Sequence, residues 1–187
     1  MNHIPCLLDN GTKDYLKNIA EKISDNAVIV EIGSFLGGSI NYLINHISKD
    51  KSVSVYCVDD WKFENISHGH MALCKPKEEK PYIAQFWDNV PECETRITTL
   101  QMDSILASKN FADKSIDFLF IDGCHTYPYV KNELLAWLPK IKDNAIILGH
   151  DYSSSHDIQK MVCEIFNNNV NFTENKDSYI YIHGKGL

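Results

Sequence analysis

Apolar residues are distributed along the chain with two alternating periodicities. Short, β-branched apolar runs recur between longer segments in which apolar residues are spaced three or four positions apart. Continuous apolar runs are typical of strands buried on both faces, whereas the wider spacing is typical of amphipathic helices. The predicted strands are 27–32, 53–58, 96–100, 115–121, 145–148, 170–173 and 179–183.

The segments between the predicted strands have helical spacing. The predicted helices cover 15–23, 40–47, 83–90, 130–138 and 158–166. Because strands and helices alternate, the sequence predicts an α/β fold, with a Rossmann-like, doubly wound, mostly parallel sheet of seven strands and helices on both faces. The last two strands follow one another without a helix between them, which predicts an antiparallel edge strand.

Two regions of the chain do not belong to the regular alternation of strands and helices. We expect residues 1–187 to form one domain, because the chain is long enough for one sizeable core and short for two. Residues 1–26 would contain an N-terminal helix, with the segment from Asp9 to Thr12 supplying its cap. Residues 61–81 have no sustained period and include His68 and His70, so we expect a lid or substrate-binding loop there.

Charge and composition narrow the classes of partner. The formal net charge is −7, and 44% hydrophobic with 23% charged residues is typical of globular proteins. An acidic chain disfavours nucleic acid as a partner, since phosphate backbones attract basic surfaces. The amino terminus lacks a signal-peptide pattern, no apolar run has membrane-spanning length, and the cysteines form no C-x-x-C pair. We therefore expect a cytoplasmic protein with reduced cysteines and no membrane partner.

A glycine-bearing loop follows the first predicted strand. Gly33, Gly37 and Gly38 would let a ligand lie against the backbone, or would serve only a tight turn between strand and helix. Their spacing differs from the G-x-G-x-x-G pattern of dinucleotide sites, which weakens a nicotinamide or flavin interpretation. Asp59 or Asp60, after the second strand, could accept hydrogen bonds from ribose hydroxyls; Asp59 is preferred, and the alternative is a solvated turn carboxylate.

Four segments together resemble a known family. They are V-x-V-E-I-G-S-x-x-G-G-S, V-x-C-V-D-D-W, F-I-D-G-C-H-T-Y and I-I-L-G-H-D-Y, and each ends a predicted strand. Their order and spacing resemble the class I S-adenosylmethionine-dependent methyltransferases, from about Leu16 to Phe166. The pairing of the last two segments resembles a branch related to macrocin and catechol O-methyltransferases.

The resemblance implies S-adenosylmethionine as cofactor and a set of residues around it. The implied residues are, for its methionine part, Glu31, Gly33, Ser34, Phe35, Gly37, Gly38 and Ser39; for its ribose, Asp59 and Asp60; and for its adenine, Met102, Asp103 and Ser104. Asp122 would also border the cofactor. Asp103 could cap a helix at the same time.

Two strand-end carboxylates are candidate metal ligands. Asp122 and Asp151 follow the fourth and fifth predicted strands, which are neighbours in the expected sheet, so both could converge on Mg²⁺ as an optional second cofactor. The ion would orient a substrate hydroxyl and lower its pKa. Metal-using relatives commonly add Asn or Asp after the second carboxylate, whereas this chain has Tyr152 there.

Two histidines stand beside these aspartates. His125 or His150 could supply the missing ligand, or one of them could act without metal as the general base, because imidazole titrates near neutral pH. His150 is the stronger candidate for the base.

The sequence therefore predicts a methyltransferase that acts on the hydroxyl of a small molecule, such as a sugar or a phenol. An Asn-Pro-Pro-Tyr motif, expected of many amino-group methylators, is absent from the chain. The alternatives are a dinucleotide-dependent oxidoreductase, which shares the sheet, and a non-catalytic cofactor-binding module. Oligomeric state stays open between a monomer and a homodimer.

Overall fold

The structure, a computed structural model, describes residues 6–62, 80–90 and 96–184. Its strands are β1 (Ala27–Ile32), β2 (Val53–Asp59), β3 (Ile97–Gln101), β4 (Ile116–Ile121), β5 (Ile141–Gly149), β6 (Asn171–Phe172) and β7 (Tyr179–Ile182). They form one sheet in the order β3-β2-β1-β4-β5-β7-β6. The first five strands pair in parallel, and β7 runs antiparallel to β5 and β6. The predicted seven-stranded, mostly parallel sheet with an antiparallel edge is confirmed.

The described residues form six α-helices. They are α1 (Asn10–Lys22), α2 (Gly38–His46), α3 (Tyr82–Asn89), α4 (Ser104–Ala107), α5 (Tyr129–Trp137) and α6 (His156–Phe166). Three begin at a side chain that accepts a backbone N–H of the first turn: Asp9 for α1, Asp103 for α4 and Ser155 for α6. The predicted caps before α1 and at Asp103 are therefore confirmed.

Helices cover both faces of the sheet. On one face, α1, α2 and α3 contribute residues such as Leu16, Leu43 and Phe86 to a core that includes Ile29 and Phe118 of the sheet. On the other face, residues of α5 and α6 pack on the alternate positions of the same strands. They are Leu134, Trp137, Met161 and Val162, against Val30, Ile32 and Leu119. Because both faces are apolar, strand side chains alternate between two cores, which explains the continuous apolar runs in the sequence.

The strand order places a crevice at one edge of the sheet. The chain moves outward from β1 to β2 and β3 on one side, and from β4 to β5 on the other. Connections on the two sides therefore diverge between β1 and β4, where doubly wound sheets bind ligands beyond the carboxyl ends of their strands.

The structure differs from the sequence prediction at α1, which begins at Asn10 rather than Tyr15, and in two further elements. β5 begins at Ile141 rather than Ala145, because a register shift in its pairing with β4 admits the polar stretch before Ala145. The short helix α4 was not predicted, since four residues are too few to show a helical period. Most of the predicted lid, 63–79 with His68 and His70, lies outside the described residues.

Within the described ranges, none of the helices has the length and apolarity needed to cross a membrane.

Candidate active site

The predicted site segments meet at the carboxyl ends of the parallel strands. Hydrogen bonds between neighbouring strands continue just beyond the strand ends: Gly33 N–H donates to the carbonyl of Val58 (2.9 Å), and Asp122 N–H donates to that of Ile32 (2.8 Å). His150 N–H donates in the same way to the carbonyl beside Asp122, that of Ile121 (2.9 Å). These bonds fix the segments that follow β1, β4 and β5 relative to one another.

Two glycines are required by the loop after β1. Gly33 has φ +84°, and a Cβ there would lie 2.2 Å from the carbonyl oxygen of Asp122. Gly37 has φ +82°, and a Cβ would lie 2.8 Å from Cγ1 of Val90. Left-handed backbone and close approach both exclude a side chain at these positions. The glycine loop, residues 33–38, thus lies directly against the end of β4.

The end of β2 holds this loop in place. The Asp59 carboxylate accepts the N–H of Phe35 (2.9 Å) and that of Trp61 (2.7 Å), and the Trp61 indole N–H donates to the Phe35 carbonyl (2.7 Å). Phe35 and Trp61 both have positive φ, 44° and 52°, which is unfavourable for these residues and is maintained by these bonds. Trp61, the first residue of the predicted lid, is instead buried against Phe86.

Asp59 and Asp60 have different surroundings. Asp59 is partly buried and holds the glycine loop, whereas Asp60 is exposed and accepts the backbone N–H of Lys62 (3.0 Å). The described residues bring Asp59 to the loop and leave Asp60 outside it.

Glu31 is a buried carboxyl beneath the glycine loop. It is 1% exposed, and Ser39 Oγ donates to its Oε1 (2.5 Å). Burial raises the pKa of Glu31 to about 7; the Ser39 hydrogen bond opposes this, and the negative charges of Asp122 and Asp59 add to it. Glu31 Oε2 and the Ser34 hydroxyl are both buried and form no well-aligned hydrogen bond within the described ranges, although Ser34 lies close enough to Glu31 to oppose the rise of its pKa. Ser39 is thus the hydrogen-bonding partner of Glu31.

The segment after β3 is connected to the start of α5. Asp103 accepts the N–H of Leu106 (3.0 Å) on one oxygen and the Tyr129 hydroxyl (2.6 Å) on the other. Ser104 is buried and donates to Glu133, while the neighbouring Met102 is 36% exposed. These contacts fix the predicted adenine border between α4 and α5.

Glu133 is a second buried carboxyl. It is 1% exposed, and its Oε2 forms no hydrogen bond with the described residues. Burial raises the pKa of Glu133 to about 7, opposed by the Ser104 hydrogen bond and reinforced by the charge of Asp103. A carboxyl in this environment favours its neutral form.

Asp122, His150 and Asp151 form a cluster at the ends of β4 and β5. His150 Nδ1 lies 3.1 Å from Asp122 Oδ1 and 3.4 Å from Asp151 Oδ2. Left-handed backbone at Asp151 (φ 58°) turns the chain directly after β5. The predicted convergence of Asp122 and Asp151 is therefore seen in the geometry, with the His150 ring between them.

Two further carboxylates approach the same ring from its other side. Asp177 Oδ2 lies 3.2 Å and Asp9 Oδ2 lies 3.9 Å from His150 Nε2. Burial by itself would lower the pKa of His150, but the hydrogen bonds and charges of Asp122 and Asp151 outweigh it and raise the pKa to about 11. The surroundings of His150 therefore favour positive charge at this position.

His125 lies at the outer side of the cluster. Its Nε2 is 3.0 Å from Asp151 Oδ2, and its side chain is 43% exposed, against 7% for His150. The hydrogen bond with Asp151 raises the pKa of His125. Burial would raise the pKa of Asp151, but hydrogen bonds with His125 and His150 hold it well below its ordinary value.

Several residues at the site were not found from the sequence. Glu133 is three positions after Val130 on the buried face of α5, so a carboxylate within an apolar helical period was the available signal. Asp9 was recognised only as part of a cap. Trp61 was noted only as the end of the V-x-C-V-D-D-W motif and the start of the predicted lid. Asp177 gave no signal, because its contact with His150 joins segments far apart in the chain.

A comparison with known protein families matches the part of the chain that contains these site segments. A family model described as a methyltransferase domain matches residues 30–152. A search of curated proteins finds no match.

Solved structures with this fold include enzymes of more than one kind. A methyltransferase from Geobacter sulfurreducens is 14% identical, with a TM-score of 0.66 over 95% of this chain and 81% of that one. The O-methyltransferase TomG from Streptomyces achromogenes, which is involved in tomaymycin synthesis and was crystallised with S-adenosylmethionine, is 12% identical, with a TM-score of 0.60 over 98% and 84%. Precorrin 8w decarboxylase from Methanobacterium thermoautotrophicum is 14% identical, with a TM-score of 0.60 over 95% and 90%. At such identities the likeness shows the fold alone.

The family model therefore decides the class. It spans well over half of the chain and includes the glycine loop, Asp59, Asp122 and Asp151. The chain belongs to this methyltransferase family, and it is an S-adenosylmethionine-dependent methyltransferase of the class I type that its motifs resemble.

Proposed function

We propose that the enzyme transfers the methyl group of S-adenosylmethionine to a hydroxyl oxygen of a small molecule. The observation that carries this proposal is the meeting of Asp122, Asp151 and His125 beside the glycine loop, where a hydroxyl could be oriented and deprotonated. The likeness of the fold to TomG, an O-methyltransferase, supports oxygen as the acceptor atom.

The residues after β1 fit the amino-acid part of the cofactor. Glu31 Oε2 and Ser34 Oγ are buried without a hydrogen-bonding partner among the described residues, so they have capacity for a ligand's polar groups. An ionised Glu31 would pair with an ammonium group. Gly33 and Gly37 let the loop pack closely against Asp122 and Val90, while Asp103 and Ser104 would border the adenine.

Exposure distinguishes the two candidate bases. His150 is almost fully buried, and both of its ring nitrogens face carboxylates, so a substrate hydroxyl has little access to it. His125 is 43% exposed, and its Nε2 donates to Asp151, which orients the ring and leaves Nδ1 as the atom that accepts a proton. We therefore place the base at His125, although the sequence had favoured His150.

The reaction is a displacement at the methyl carbon. A lone pair of the hydroxyl oxygen attacks this carbon, and the carbon–sulfur bond breaks with its electron pair remaining on sulfur. The hydroxyl proton passes to Nδ1 of His125. The products are the methyl ether and S-adenosylhomocysteine, and neither oxidant nor reductant is required. Glycine-loop and adenine contacts contribute by holding the methyl group in line with the acceptor.

The donor set at Asp122 and Asp151 fits a hard cation. The two carboxylate oxygens of this pair suit such an ion, and they lie within 4.8 Å of each other and of the His150 ring nitrogen. Bound Mg²⁺ would lower the pKa of a coordinated hydroxyl. Asp122 and Asp151 would hold the ion, and His150 would orient them.

A methyl-transfer assay tests the acceptor class. Purified enzyme is incubated with S-adenosylmethionine and matched acceptors, phenols against anilines and sugars against amino sugars, and S-adenosylhomocysteine is measured with and without EDTA. We expect turnover of hydroxyl acceptors and loss of that turnover in EDTA, restored by Mg²⁺. Turnover of the amines alone would exclude the proposal, and turnover unaffected by EDTA would exclude the metal.

Variants test the role of His125. His125→Gln should reduce kcat by about a hundredfold or more, the range of a general base, while the KM for S-adenosylmethionine stays unchanged. His150→Gln should mainly lower the stability of the protein and raise the KM for the acceptor. Asp113→Asn, which removes an exposed carboxylate remote from the site, is the control. Retention of kcat in His125→Gln would contradict this assignment.

A further inference from the structure

The buried side of His150 faces a second pair of carboxylates that the reaction does not use. Its Nε2 lies 3.2 Å from Asp177 Oδ2 and 3.9 Å from Asp9 Oδ2, yet it forms no hydrogen bond with the described residues. His150 is 6% exposed. A buried imidazole nitrogen thus points between two carboxylate oxygens without a directed hydrogen bond to either.

The opposite ring nitrogen has a hydrogen-bonding partner. His150 Nδ1 lies 3.1 Å from Asp122 Oδ1, and an ionised carboxylate can only accept, so Nδ1 is the donor. A metal ion would displace the proton that the surrounding carboxylates favour on Nε2, and the lone pair freed there would face Asp9 and Asp177. Histidines that bind metals commonly donate their other N–H to a carboxylate in this way, which fixes tautomer and orientation.

Both carboxylates are themselves held by hydroxyl donors. Thr12 Oγ1 donates to Asp9 Oδ2, and Ser153 Oγ donates to Asp177 Oδ1. The two aspartates are about one-fifth exposed. Oriented, partly buried carboxylates of this kind are typical of the outer hydrogen bonding around metal ligands.

We propose that Asp9, Asp177 and Nε2 of His150 form a divalent metal site separate from the Asp122–Asp151 pair. Their ligand atoms all lie within 4.8 Å of one another. One imidazole with two carboxylates suits a first-row transition ion, from Mn²⁺ to Zn²⁺, better than Mg²⁺, which prefers oxygen alone.

The site would join three distant parts of the chain. Asp9 caps α1, His150 ends β5, and Asp177 lies in the connection between β6 and β7. A metal ion here would fix the N-terminal helix and the C-terminal hairpin beside the Asp122–Asp151 pair. Its role is structural: it orders the acceptor side of the site and does not contact the reacting atoms.

Metal binding to the apoenzyme tests this site without any assay of activity. Mn²⁺ is titrated into metal-free protein, and bound ions are counted by electron paramagnetic resonance. Asp9→Asn and Asp177→Asn should each weaken one class of Mn²⁺ site by at least tenfold, as loss of a ligand or of its support does. Asparagine also caps helices well, so Asp9→Asn preserves the start of α1.

Two controls separate this site from the proposed catalytic pair. Asp151→Asn should leave the Asp9–Asp177 site occupied, and Asp113→Asn should change neither site. If only Asp151→Asn lowers Mn²⁺ binding, the second site does not exist, while the catalytic metal is supported. If only Asp9→Asn and Asp177→Asn lower it, the second site is supported and the catalytic metal is excluded.

Nuclear magnetic resonance identifies the coordinating atom. In Zn²⁺-saturated protein with ¹⁵N-labelled histidines, the Nε2 signal of His150 should move to the position of a metal-bound nitrogen, with Nδ1 still protonated. Proton signals on both His150 nitrogens in saturating Zn²⁺ would show that the cluster is an ion pair without metal, and would overturn the proposal. Coordination through Nδ1 would also overturn it, since that nitrogen faces Asp122.

Discussion

At the scale of single residues, the buried carboxyl Glu133 has a pKa well above its ordinary value. It lies in the apolar core between α5 and the sheet with only Ser104 as a hydrogen-bonding partner among the described residues. Its neutral form is favoured, because an ionised carboxylate loses most of its hydration there.

Glu133 should make stability depend on pH. Its pKa is about 7 in the folded protein against an ordinary value of 4.5, so the folded state binds the proton more tightly. The stabilisation is fully present below pH 4.5 and is lost as pH rises to about 7, and the shift corresponds to roughly 3 kcal/mol. Glu133→Gln should therefore raise the free energy of unfolding at pH 8 by a large part of that amount, with little change at pH 4.5.

Urea unfolding of both proteins at pH 4.5 and pH 8 measures this difference. The buried carboxyl Glu31 has a similar pKa and remains in both proteins, so the comparison isolates Glu133. An equal effect of Glu133→Gln at the two pH values would mean that the residue titrates normally.

At the scale of elements, the glycine loop depends on its neighbours for its shape. The N–H of Phe35 donates a hydrogen bond to Asp59 at the end of β2, and the Phe35 carbonyl accepts one from the Trp61 indole. These two hydrogen bonds hold Phe35 in left-handed backbone. A loop already fixed in its binding conformation binds a ligand with a smaller loss of conformational entropy.

Trp61→Phe should weaken cofactor binding by about five- to tenfold, because it removes one buried hydrogen bond of about 1 kcal/mol. Isothermal titration with S-adenosylhomocysteine measures the Kd. Trp87→Phe is the matched control, since Trp87 also packs on Phe86 but forms no hydrogen bond with the glycine loop among the described residues. Equal Kd values in the two variants would show that the indole bond does not shape the loop.

The junction of α4 and α5 provides a second prediction. The Tyr129 hydroxyl donates to Asp103 and the Tyr127 hydroxyl donates to Glu164, so each tyrosine holds a different carboxylate. If Asp103 borders the adenine, Tyr129→Phe should raise the Kd for S-adenosylhomocysteine by about fivefold, the effect of one lost hydrogen bond, and Tyr127→Phe should leave it unchanged. Titration of both variants with S-adenosylhomocysteine measures the two Kd values. Similar Kd values would show that Asp103 does not border the adenine.

At the scale of the whole molecule, the carboxyl ends and the amino ends of the parallel strands have different functions. The carboxyl ends hold the site, while at the amino ends Asp117 of β4 accepts the N–H of Val28 (2.8 Å) and pairs with Lys142 of β5 (2.8 Å). This carboxylate connects three strands far from the cofactor residues.

Asp117→Ala should lower the free energy of unfolding by about 1–3 kcal/mol, because it leaves a backbone donor without its partner. The Kd for S-adenosylhomocysteine should not change. Asp113→Ala is the control, because it removes only an exposed ion pair with Lys140, and such pairs contribute about 0–1 kcal/mol. A weakened Kd in Asp117→Ala would show that the two ends are coupled.

The fold was largely predictable because its signals are local. Apolar runs such as Ala27–Ile32 specify strands, and the residues that end them fall at one edge of any parallel sheet. β5 and α4 were the exceptions, since Lys142 to Asn144 are polar within a strand and four residues are too few for a helical period.

The sequence by itself determined the class of the enzyme, the order of its elements and the segments of the site. These properties depend on periodicity and on motifs of adjacent residues, which are present before the chain folds. Tertiary structure alone decided which side chains face one another. His150 is enclosed by Asp9, Asp122, Asp151 and Asp177, whereas His125 stays exposed, because folding brings the start of α1 and the β6–β7 connection onto the end of β5. Contacts between residues so far apart in the chain produce no periodic pattern in the sequence. The surroundings of the two histidines could therefore be distinguished only in the folded protein.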